Sequence, residues 1–578
     1  MSIQATQAGR LKAVFRSIGY VCVWAAFCCA PMACMTPERA VRESDETATR
    51  LATAYWREQT GVTNDVFDVH RPADALTLRV AMLAAARGDQ RVVFPKIPHV
   101  EAAGSSNGVL RLSLKDALAL AARNDRAYQN HKEAIFNRAL DLDYQQYAFE
   151  TTFSGMILSI LDGDFGTKTA TGRGNAGFDK TFQNGTKVAG MLAADLVTLL
   201  REDWRSAAFS GDLSVTVPLL RGAGRDVVME PLTQAERNLV YAIRQFEYYR
   251  QTYAVSVANS YFSVLKAEQV AKNSVENHHR LELNSKRADM MFKAGRMDRI
   301  QMDQAHTDLL GAEEGVISTR KSYQSALDNF KVKIGLPPEG KIELDNGELT
   351  ILEKKMEKIR TSTQDALEGF PSEFEACRIA LTERHDLFVT RCEYEDVARN
   401  VKVVADRLRP DLTLKGGPSF NRKRQTGEGS FRGDEIWDAT AQMDLPWNRR
   451  AERNAFRKQL ISLEQARRTL EAKEDEVKQT IRDDMRGLEA ARASYENAVR
   501  AMTVAKQRVS SNDLFLQSGR SSMRDILEAE SALLSARNSL CSALVNWWMS
   551  DLELRRDMGV LRIGESGMWV LPNGEHHG

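Results

Sequence analysis

This chain of 578 residues has almost no net charge, few prolines and few long apolar runs. The 79 basic and 78 acidic side chains nearly cancel, so no overall field would attract nucleic acid or an acidic ligand. Only 14 prolines are present, and long stretches rich in Ala, Glu, Gln, Arg and Leu favour extended helices. No apolar run of about 20 residues follows residue 34. A mature chain that crosses a membrane must therefore use the strands of a closed barrel.

Catalytic and metal-binding patterns are also lacking. The chain has no glycine-rich phosphate loop ending in Lys-Ser/Thr, no His-Glu-x-x-His and no nucleophile elbow. His278-His279 lies among charged residues and is better explained as solvated than as a ligand pair. The His576-His577 pair is better explained as part of a flexible tail. We therefore expect no enzymatic activity, no cofactor and no metal.

Cysteine is rare and unevenly placed. Four of the seven cysteines lie in the N-terminal segment that ends at Cys34. The other three, Cys377, Cys392 and Cys541, have neither metal-ligand spacing nor an even disulfide framework. We expect these three to be small buried hydrophobic side chains.

The N-terminal segment has the pattern of an export signal. Three basic residues precede the uncharged run Ser17–Ala33, which is too short for a comfortable membrane span. Cys34 follows Ala33 and resembles the lipidated cysteine of a bacterial lipoprotein, although Pro31 departs from that motif. Lipidation of Cys34 and ordinary cleavage, for example after Ala30, both remain open.

The rest of the chain contains a repeat. Pro218–Arg225 aligns with Pro446–Arg453 at an offset of 228, and Gly295-Arg296 aligns with Gly519-Arg520 at an offset of 224. Upstream, the short motif at Arg123 aligns with the motif at Arg384 at an offset of 261. The first copy therefore carries about 33 extra residues before Pro218. They fall in a stretch rich in Gly, Thr and Asn, which we interpret as a loop and extended strand.

Each copy also contains strand patterns. Asp212–Val217 and Trp437–Leu445 alternate between apolar and polar residues, which suits strands with one apolar face. An edge strand of a soluble β-sandwich would alternate in the same way. The evidence for barrel strands is therefore that both alternating segments occur at the same position of the repeat. Both strands end at a proline, which removes an N–H and stops sheet pairing. Arginine-rich steps follow, and the strand-to-helix junctions therefore fall at Pro218, Arg221, Pro446 and Arg449.

Very long helices follow both junctions. Each runs for about 65 residues, or roughly 100 Å at 1.5 Å per residue, and carries a narrow apolar seam typical of coiled coils. Gly295 and Gly519 would end them with left-handed caps. Shorter helices then return over about Asp298–Val332 and Met523–Asp557. Such helices need each other and further neighbours to bury their seams.

The ordered motifs between Leu112 and Leu561 resemble the TolC-type outer membrane efflux protein family. Their strongest pieces are Leu112–Leu118, Pro218–Asp226 and Gly519–Ala536, in this order and within a duplication. The resemblance implies a mainly α fold with β structure, in which duplicated long antiparallel coiled-coil helices join four barrel strands per protomer. Three protomers would form an α/β-barrel duct, with a shared 12-stranded barrel in the outer membrane and the helices in the periplasm.

The resemblance also divides the chain. We predict a signal peptide over residues 1–33, an N-terminal extension over 34–111 and the first repeat over 112–335. An equatorial linker would occupy residues 336–372, the second repeat 373–561 and a C-terminal tail 562–578. In the first repeat the strands fall at about 149–218, and in the second at about 411–446. The long helices fall at about 225–335 and 451–557.

The resemblance assigns functional roles to both helical turns. Asp525 and Glu528 share one helix face and match acidic positions at the family's periplasmic mouth, where threefold symmetry would give two acidic rings. Gln301 and Gln304 take the equivalent positions in the first copy, which suggests that only one turn forms the rings. An ordinary solvated face remains the alternative. At the tips, Gly295-Arg296 and Gly519-Arg520 would contact an adaptor, or be simple capped turns with solvated arginines.

The leading hypothesis is therefore a passive exit duct for a tripartite efflux or type I secretion system. Its expected partners are two other copies, a periplasmic adaptor (membrane fusion protein), an inner-membrane transporter and outer-membrane lipids, with no nucleic acid. A non-pore periplasmic coiled-coil adaptor or scaffold is the alternative, but would show one hairpin between β-rich halves. A surface adhesin is a third possibility.

Overall fold

A computed structural model describes these stretches of the chain: residues 35–61, 67–69, 73–87, 109–163, 168–199, 205–361, 371–425, 430, 432–445, 447–518, 520–564 and 567–570. The described residues form two compact units. The first unit takes its described residues from 1–68, 134–243 and 392–468, and the second from 69–133, 244–391 and 469–578. Both units contain segments of both repeats. The predicted signal peptide, Cys34, Pro446 and Gly519 lie outside the described residues.

Strands occur in both repeats and near the C-terminus. Their bounds are β1 Leu110–Leu112, β2 Thr151–Gly163, β3 Lys168–Thr181, β4 Lys187–Leu199, β5 Arg205–Pro218, β6 Ile342–Leu344, β7 Asp411–Gln425, β8 Arg432–Asp444, β9 Arg562–Ile563 and β10 Trp569–Val570. Six of them form one antiparallel sheet in the first unit, in the order β2-β3-β4-β5-β7-β8. The first four of this sheet come from the first repeat and the last two from the second.

The mainly α fold with a sheet is confirmed, but the predicted count of four strands per protomer is wrong. The extra residues of the first repeat form a complete hairpin, β3–β4, where a loop and extended strand were expected. Its turn is closed because the Gly185 N–H donates to the Phe182 carbonyl at 2.9 Å and Gly185 adopts a φ of +90°. A left-handed glycine in a short turn matches the twist of the two strands. The Gly- and Thr-rich segment therefore belongs to two paired strands.

The helices account for most of the chain. Their bounds are α1 Pro37–Thr60, α2 Ala73–Ala86, α3 Leu114–Asn124, α4 Arg126–Tyr147, α5 Arg225–Val228, α6 Glu230–Lys293, α7 Arg299–Lys333, α8 Gly347–Thr361, α9 Glu373–Glu383, α10 His385–Asp406, α11 Arg450–Gln517 and α12 Met523–Asp557. The return helices α7 and α12 are equally long, and both of their ends keep the predicted offset of 224. The capping serines Ser113 and Ser372, however, have an offset of 259, so the predicted offset of 261 is too long by two.

A buried ionic network ties α6 to α10 within the first unit. Asp396, only 7% exposed, accepts a hydrogen bond from the Tyr241 hydroxyl at 2.6 Å. Arg237 and Arg399 lie 2.6 and 2.9 Å from the same carboxylate. Buried charges persist in this way only when they are paired, so these contacts fix how the start of α6 lies against α10.

The main apolar core lies in the second unit. The short strands β1 and β6 pair in parallel there and pack with Tyr261 and Phe330. The predicted N-terminal extension contributes to this core through α2, since Leu78 and Met82 are almost fully buried. In the predicted linker, the Lys355 ammonium of α8 lies 4.2 Å from the Trp548 ring centroid. A second small pair joins β9 and β10.

Two smaller predictions concern cysteine and histidine. Cys377, Cys392 and Cys541, which we expected to be buried, are half-buried. His279 is exposed and lies 3.8 Å from Glu282. In the described part of the chain, no cluster of His, Cys, Asp and Glu could hold a metal ion. None of the described helices is both long and apolar enough to cross a membrane.

Candidate functional site

The turn after α6 is closed by two backbone hydrogen bonds. The Gly295 N–H donates to the Phe292 carbonyl and the Arg296 N–H to the Met291 carbonyl, both at 2.9 Å. Gly295 has a φ of +71°. This pair of bonds around a left-handed glycine is a Schellman motif, which satisfies carbonyls that the helix end leaves free. The predicted glycine cap therefore forms as expected.

The turn after α11 has the equivalent backbone bond. The Arg520 N–H donates to the Phe515 carbonyl at 2.8 Å, and both residues lie 224 positions after their counterparts Arg296 and Met291. The Arg296 and Arg520 side chains are exposed. The structure thus presents one arginine beside each helical turn, in the positions that the sequence assigns to the tips.

Asp525 caps the helix on which it lies. Its carboxylate accepts hydrogen bonds from the Ser522 backbone N–H at 2.8 Å and the Ser522 hydroxyl at 2.7 Å. The Ser522 hydroxyl accepts in turn from the Asp525 N–H, which completes a capping box. These hydrogen bonds from Ser522 hold the pKa of Asp525 below its usual value. The spacing Ser-x-x-Asp is a capping signal that our sequence reasoning passed over.

Glu528 lies one turn further along α12 and is exposed. Arg524 approaches one of its carboxylate oxygens at 3.1 Å, and Arg508 of α11 approaches the other at 3.6 Å. Both pairs are solvated, so each contributes at most about 1 kcal/mol. Of the predicted acidic pair, Asp525 is thus engaged by serines and Glu528 by arginines.

A polar layer joins α6 to α12 near this acidic pair. Glu530, 4% exposed, accepts a hydrogen bond from the Arg280 Nε at 2.7 Å. Glu276 of α6 accepts from Arg280 at 3.0 Å and also from Arg537 of α12. Hydrogen bonds from Arg537 hold the pKa of Glu276 below its usual value. These contacts connect the long helix of the first repeat with the return helix of the second.

Two further contacts extend the connection between the repeats. The Asn273 amide donates to the Asn538 side chain at 2.9 Å, and Arg287 of α6 pairs with Asp513 of α11 at 2.6 Å. Sequence reasoning missed this whole set of residues. One signal was available, because Glu530 occupies an apolar position of α12, one helical turn after the buried Leu527.

A groove of about 1030 Å³ lies beside this layer. Gln301 and Gln304 of α7 line one wall, and Arg524 and Glu528 of α12 line the other. The structure therefore brings the two glutamines together with one of the two acidic residues to which the sequence compared them. The groove is polar at these positions and is lined elsewhere by small and apolar residues together with Asn277 and Asp308.

The junction between sheet and helices is formed by residues of both repeats. Pro218 is the last residue of β5 and pairs with Thr413. The backbone N–H of Gly222 then donates to the buried Asp406 carboxylate at 2.7 Å. Arg221 is exposed and Arg449 is half-buried. The strand β5 thus ends at Pro218 as predicted, although the Leu219 N–H still donates to the Leu412 carbonyl at 2.8 Å. Asp406, at the end of α10, holds the turn that follows β5.

Comparison with known proteins gives one family and a set of similar folds. Residues 377–560 match the outer membrane efflux protein family, whereas no curated protein sequence matches. The fold resembles the channel CusC, with a TM-score of 0.56, 12% identity and coverage of 77% of this chain and 92% of that one. It also resembles the Campylobacter jejuni outer membrane channel CmeC, with a TM-score of 0.55, 14% identity and coverage of 77% and 85%.

A third similar structure is the outer membrane protein VceC from Vibrio cholerae. It has a TM-score of 0.54 and 14% identity, with coverage of 77% of this chain and 96% of that one. At these identities the likeness shows the fold alone, and it does so over most of the chain. The predicted family is thus matched in sequence over residues 377–560, and the solved structures agree with the predicted fold.

Proposed function

We propose that this chain, whose residues 377–560 match the outer membrane efflux protein family, is one protomer of a homotrimeric exit duct. That match favours an outer-membrane efflux protein over an enzyme. The duct would give passive exit to substrates that an inner-membrane pump drives, in a tripartite efflux or type I secretion system. The observation that carries the proposal is the family's duplicated helical hairpin, together with a sheet that has one apolar and one polar face.

Uncovered apolar surface supports assembly with further copies of the chain. On the coiled coils, Leu310, Ile317, Val504 and Leu514 are each 62–66% exposed in one protomer. Narrow apolar seams of this kind need neighbouring helices to exclude water. In the sheet, β2 and β8 are edge strands, and an edge cannot face lipid with unpaired backbone groups. Pairing β8 of one copy with β2 of the next would satisfy both edges.

The acidic pair is proposed to form the periplasmic gate. Three copies of Glu528 around a threefold axis would give one ring of carboxylates, and Asp525 would give a second ring close to it. Rings of like charge attract cations and repel each other. The Arg508 and Arg524 side chains beside Glu528 would then hold the closed arrangement by offsetting part of this repulsion. Opening of the mouth would require the coiled coils to splay apart.

The arginine-bearing turns are proposed as contacts for a periplasmic adaptor. Arg296 and Arg520 are both exposed beside turns that backbone hydrogen bonds close, and Gly295 and Gly519 belong to the same proposed contacts. The predicted domain division and the placement of the helices in the periplasm belong to the same proposal. Cys34 is proposed as a lipid anchor, which replacement by serine would test through the loss of lipid labelling.

Conductance in planar bilayers tests the duct. We expect the purified protein to form cation-selective channels that conduct weakly. Glu528→Gln, which removes charge without touching the capping box, should raise the conductance several-fold. Asp525→Asn should do so as well, with some loss of helix stability. Glu339→Gln, which changes an exposed acid outside the proposed gate, is the matched control and should change nothing.

Two outcomes would contradict the proposal in different ways. A protein that stays monomeric and soluble without detergent, and forms no channel, would favour the non-pore adaptor or scaffold. Channels whose conductance and cation selectivity are unchanged by both substitutions would leave the duct standing and remove the acidic gate.

A further inference from the structure

The hairpin β3–β4 is an integral part of the sheet rather than a flap on it. Along its full length β3 pairs with β2, as in Phe153 with Phe178. On its other side β4 pairs with β5, as in Met191 with Asp212. The hairpin therefore separates β2 from β5, the two strands that would be neighbours without the insertion.

The two faces of the sheet continue through the hairpin without a change of phase. Residues paired directly across antiparallel strands point to the same side, which lets each face be followed from β2 to β8. One face is mainly apolar and carries Phe153, Phe178, Leu192, Leu196, Phe209, Leu213, Leu414 and Trp437. The opposite face carries the charged residues Asp179, Arg173, Asp195, Asp212, Lys415 and Asp438, together with apolar residues of β2 and β4 such as Leu158 and Met191.

This alternation matches a sheet that has lipid on one side and water on the other. Phe153 and Trp437, which lie on opposite edge strands, are 81% and 78% exposed in a single chain. On the polar face Arg173 of β3 and Asp195 of β4 are directly paired and joined at 2.7 Å. The inserted strands therefore present both an apolar surface for lipid and an ion pair for an aqueous lumen.

The turn of the hairpin is seated on the junction between sheet and helices. Its Asn184 carbonyl accepts a hydrogen bond from the Gly224 N–H at 3.4 Å. A Cβ atom on Gly185 would lie 2.7 Å from the Gly222 carbonyl oxygen. The inner end of the hairpin is thus fixed at the same level as Pro218, where β5 ends.

We propose that the assembled duct has a wide-bore barrel with six strands from each chain, and hence 18 strands in the trimer. This proposal rests on the trimeric duct proposed above. Because barrel diameter grows roughly linearly with strand number, the bore would be about 1.5 times that of the 12-stranded barrel with four strands per chain. The added lining is polar on β3 and carries Asp195 among apolar residues on β4, and the wide bore fits bulky hydrated cargo, such as large hydrophilic molecules or extended polypeptide.

The deciding experiment is single-particle imaging of the full chain purified in detergent. Six strands from each of three chains around one continuous barrel is the expected result. A trimer with a 12-stranded barrel and the hairpin outside it would overturn this inference while leaving the duct intact. Failure to find any trimer would instead remove the proposed function on which the inference depends.

A deletion of Lys168–Leu199 provides the functional comparison. It removes only the hairpin and leaves residues 164–167 and 200–204 to connect β2 with β5, whose apolar faces remain in phase. Neutral polymers of graded size, added from the outer side alone, would measure the bore even when the inner mouth is narrow. We expect the largest admitted polymer radius to fall by about one third on deletion. Equal cut-offs in two correctly trimeric proteins would contradict the wide bore.

Discussion

Arg280 of α6 donates a hydrogen bond to Glu530 of α12 at 2.7 Å, and Glu530 is only 4% exposed. A carboxylate buried to this degree needs a charged partner. Because α6 belongs to the first repeat and α12 to the second, this contact locks together the two hairpins that our proposal requires to move apart when the duct opens.

Arg280→Met should therefore destabilise the closed arrangement. The substitution keeps most of the side-chain volume but leaves the Glu530 carboxylate without its charged donor, which costs about 2–3 kcal/mol. We expect a lower urea midpoint of the detergent-solubilised protein and a higher channel conductance. Adding Glu530→Gln should recover part of the lost stability, since the uncompensated charge is removed.

Arg299→Met is the matched control for that substitution. Arg299 lies on α7 with its side chain 80% exposed and 3.7 Å from Asp303, so its pairing is worth at most about 1 kcal/mol. Stability and conductance should stay close to those of the unmodified protein. An equal loss in both variants would show that the Arg280 contact has no special weight.

A second prediction concerns pH and the carboxyl group of Asp484. Burial, together with nearby Asp557, raises the pKa of Asp484 to about 7. A raised pKa means that the carboxyl group holds its proton more tightly in the folded state than in the unfolded state. The stability that this group contributes is therefore complete below about pH 4 and is lost as the pH rises through about 7. Asp484→Asn should thus gain stability relative to the unmodified protein between pH 5 and pH 8.

Thermal unfolding of Asp484→Asn and of the unmodified protein at pH 5 and at pH 8 measures that gain in stability. Asp483→Asn is the control, because the Asp483 carboxylate, next to Asp484 in the chain, is solvated and pairs with Arg486 at 2.8 Å. We expect the effect of Asp484→Asn to grow with pH and the control to show no such trend. A constant difference between the two pH values would show that Asp484 does not titrate in this range.

The hairpin turn gives a third prediction. Gly185→Ala places a side chain on a backbone with a φ of +90° and brings its Cβ to 2.7 Å from the Gly222 carbonyl oxygen. The left-handed conformation alone costs about 1–2 kcal/mol. We expect a smaller yield of folded, heat-resistant assembly on gels. Gly172→Ala in β3, where a Cβ atom would meet nothing within 4 Å, should leave the yield unchanged.

Replacing each of two glycines in or next to the long helices with alanine should change the stability in opposite directions. Gly295→Ala is expected to lower stability by about 1 kcal/mol, because the cap requires a φ of +71°. Gly487→Ala lies within α11, where a Cβ atom would be in open space, and should raise stability by about 0.5–1 kcal/mol. Urea unfolding of both variants checks the signs, and a loss in both would contradict the cap.

Sequence periodicity was a good guide to the helices and a partial guide to the sheet. The common offset of the return helices and the cap at Gly295 were predicted because they depend on interactions between residues close together in the chain. The count of strands was not, since a Gly- and Thr-rich segment is compatible with either a loop or a hairpin. Only the pairing of β3 with β2 and of β4 with β5 distinguishes these possibilities.

The candidate gate shows the same division. Sequence alone placed Asp525 and Glu528 on one face of α12, because residues three apart on a helix are neighbours. The engagement of Asp525 by Ser522 is also local and could have been read from the capping pattern. By contrast, the pairing of Glu528 with Arg508, which lies on the preceding helix, depends on how α11 and α12 pack.

The sequence by itself determined the duplication, the long helices and the places where they end, because propensity, apolar spacing and capping act over short distances along the chain. Tertiary structure alone decided that the insertion joins the sheet and that Arg280 reaches Glu530, which lies 250 residues further along. Contacts of that kind depend on which helices and strands pack against one another. This packing is determined by the burial of whole faces rather than by any local pattern.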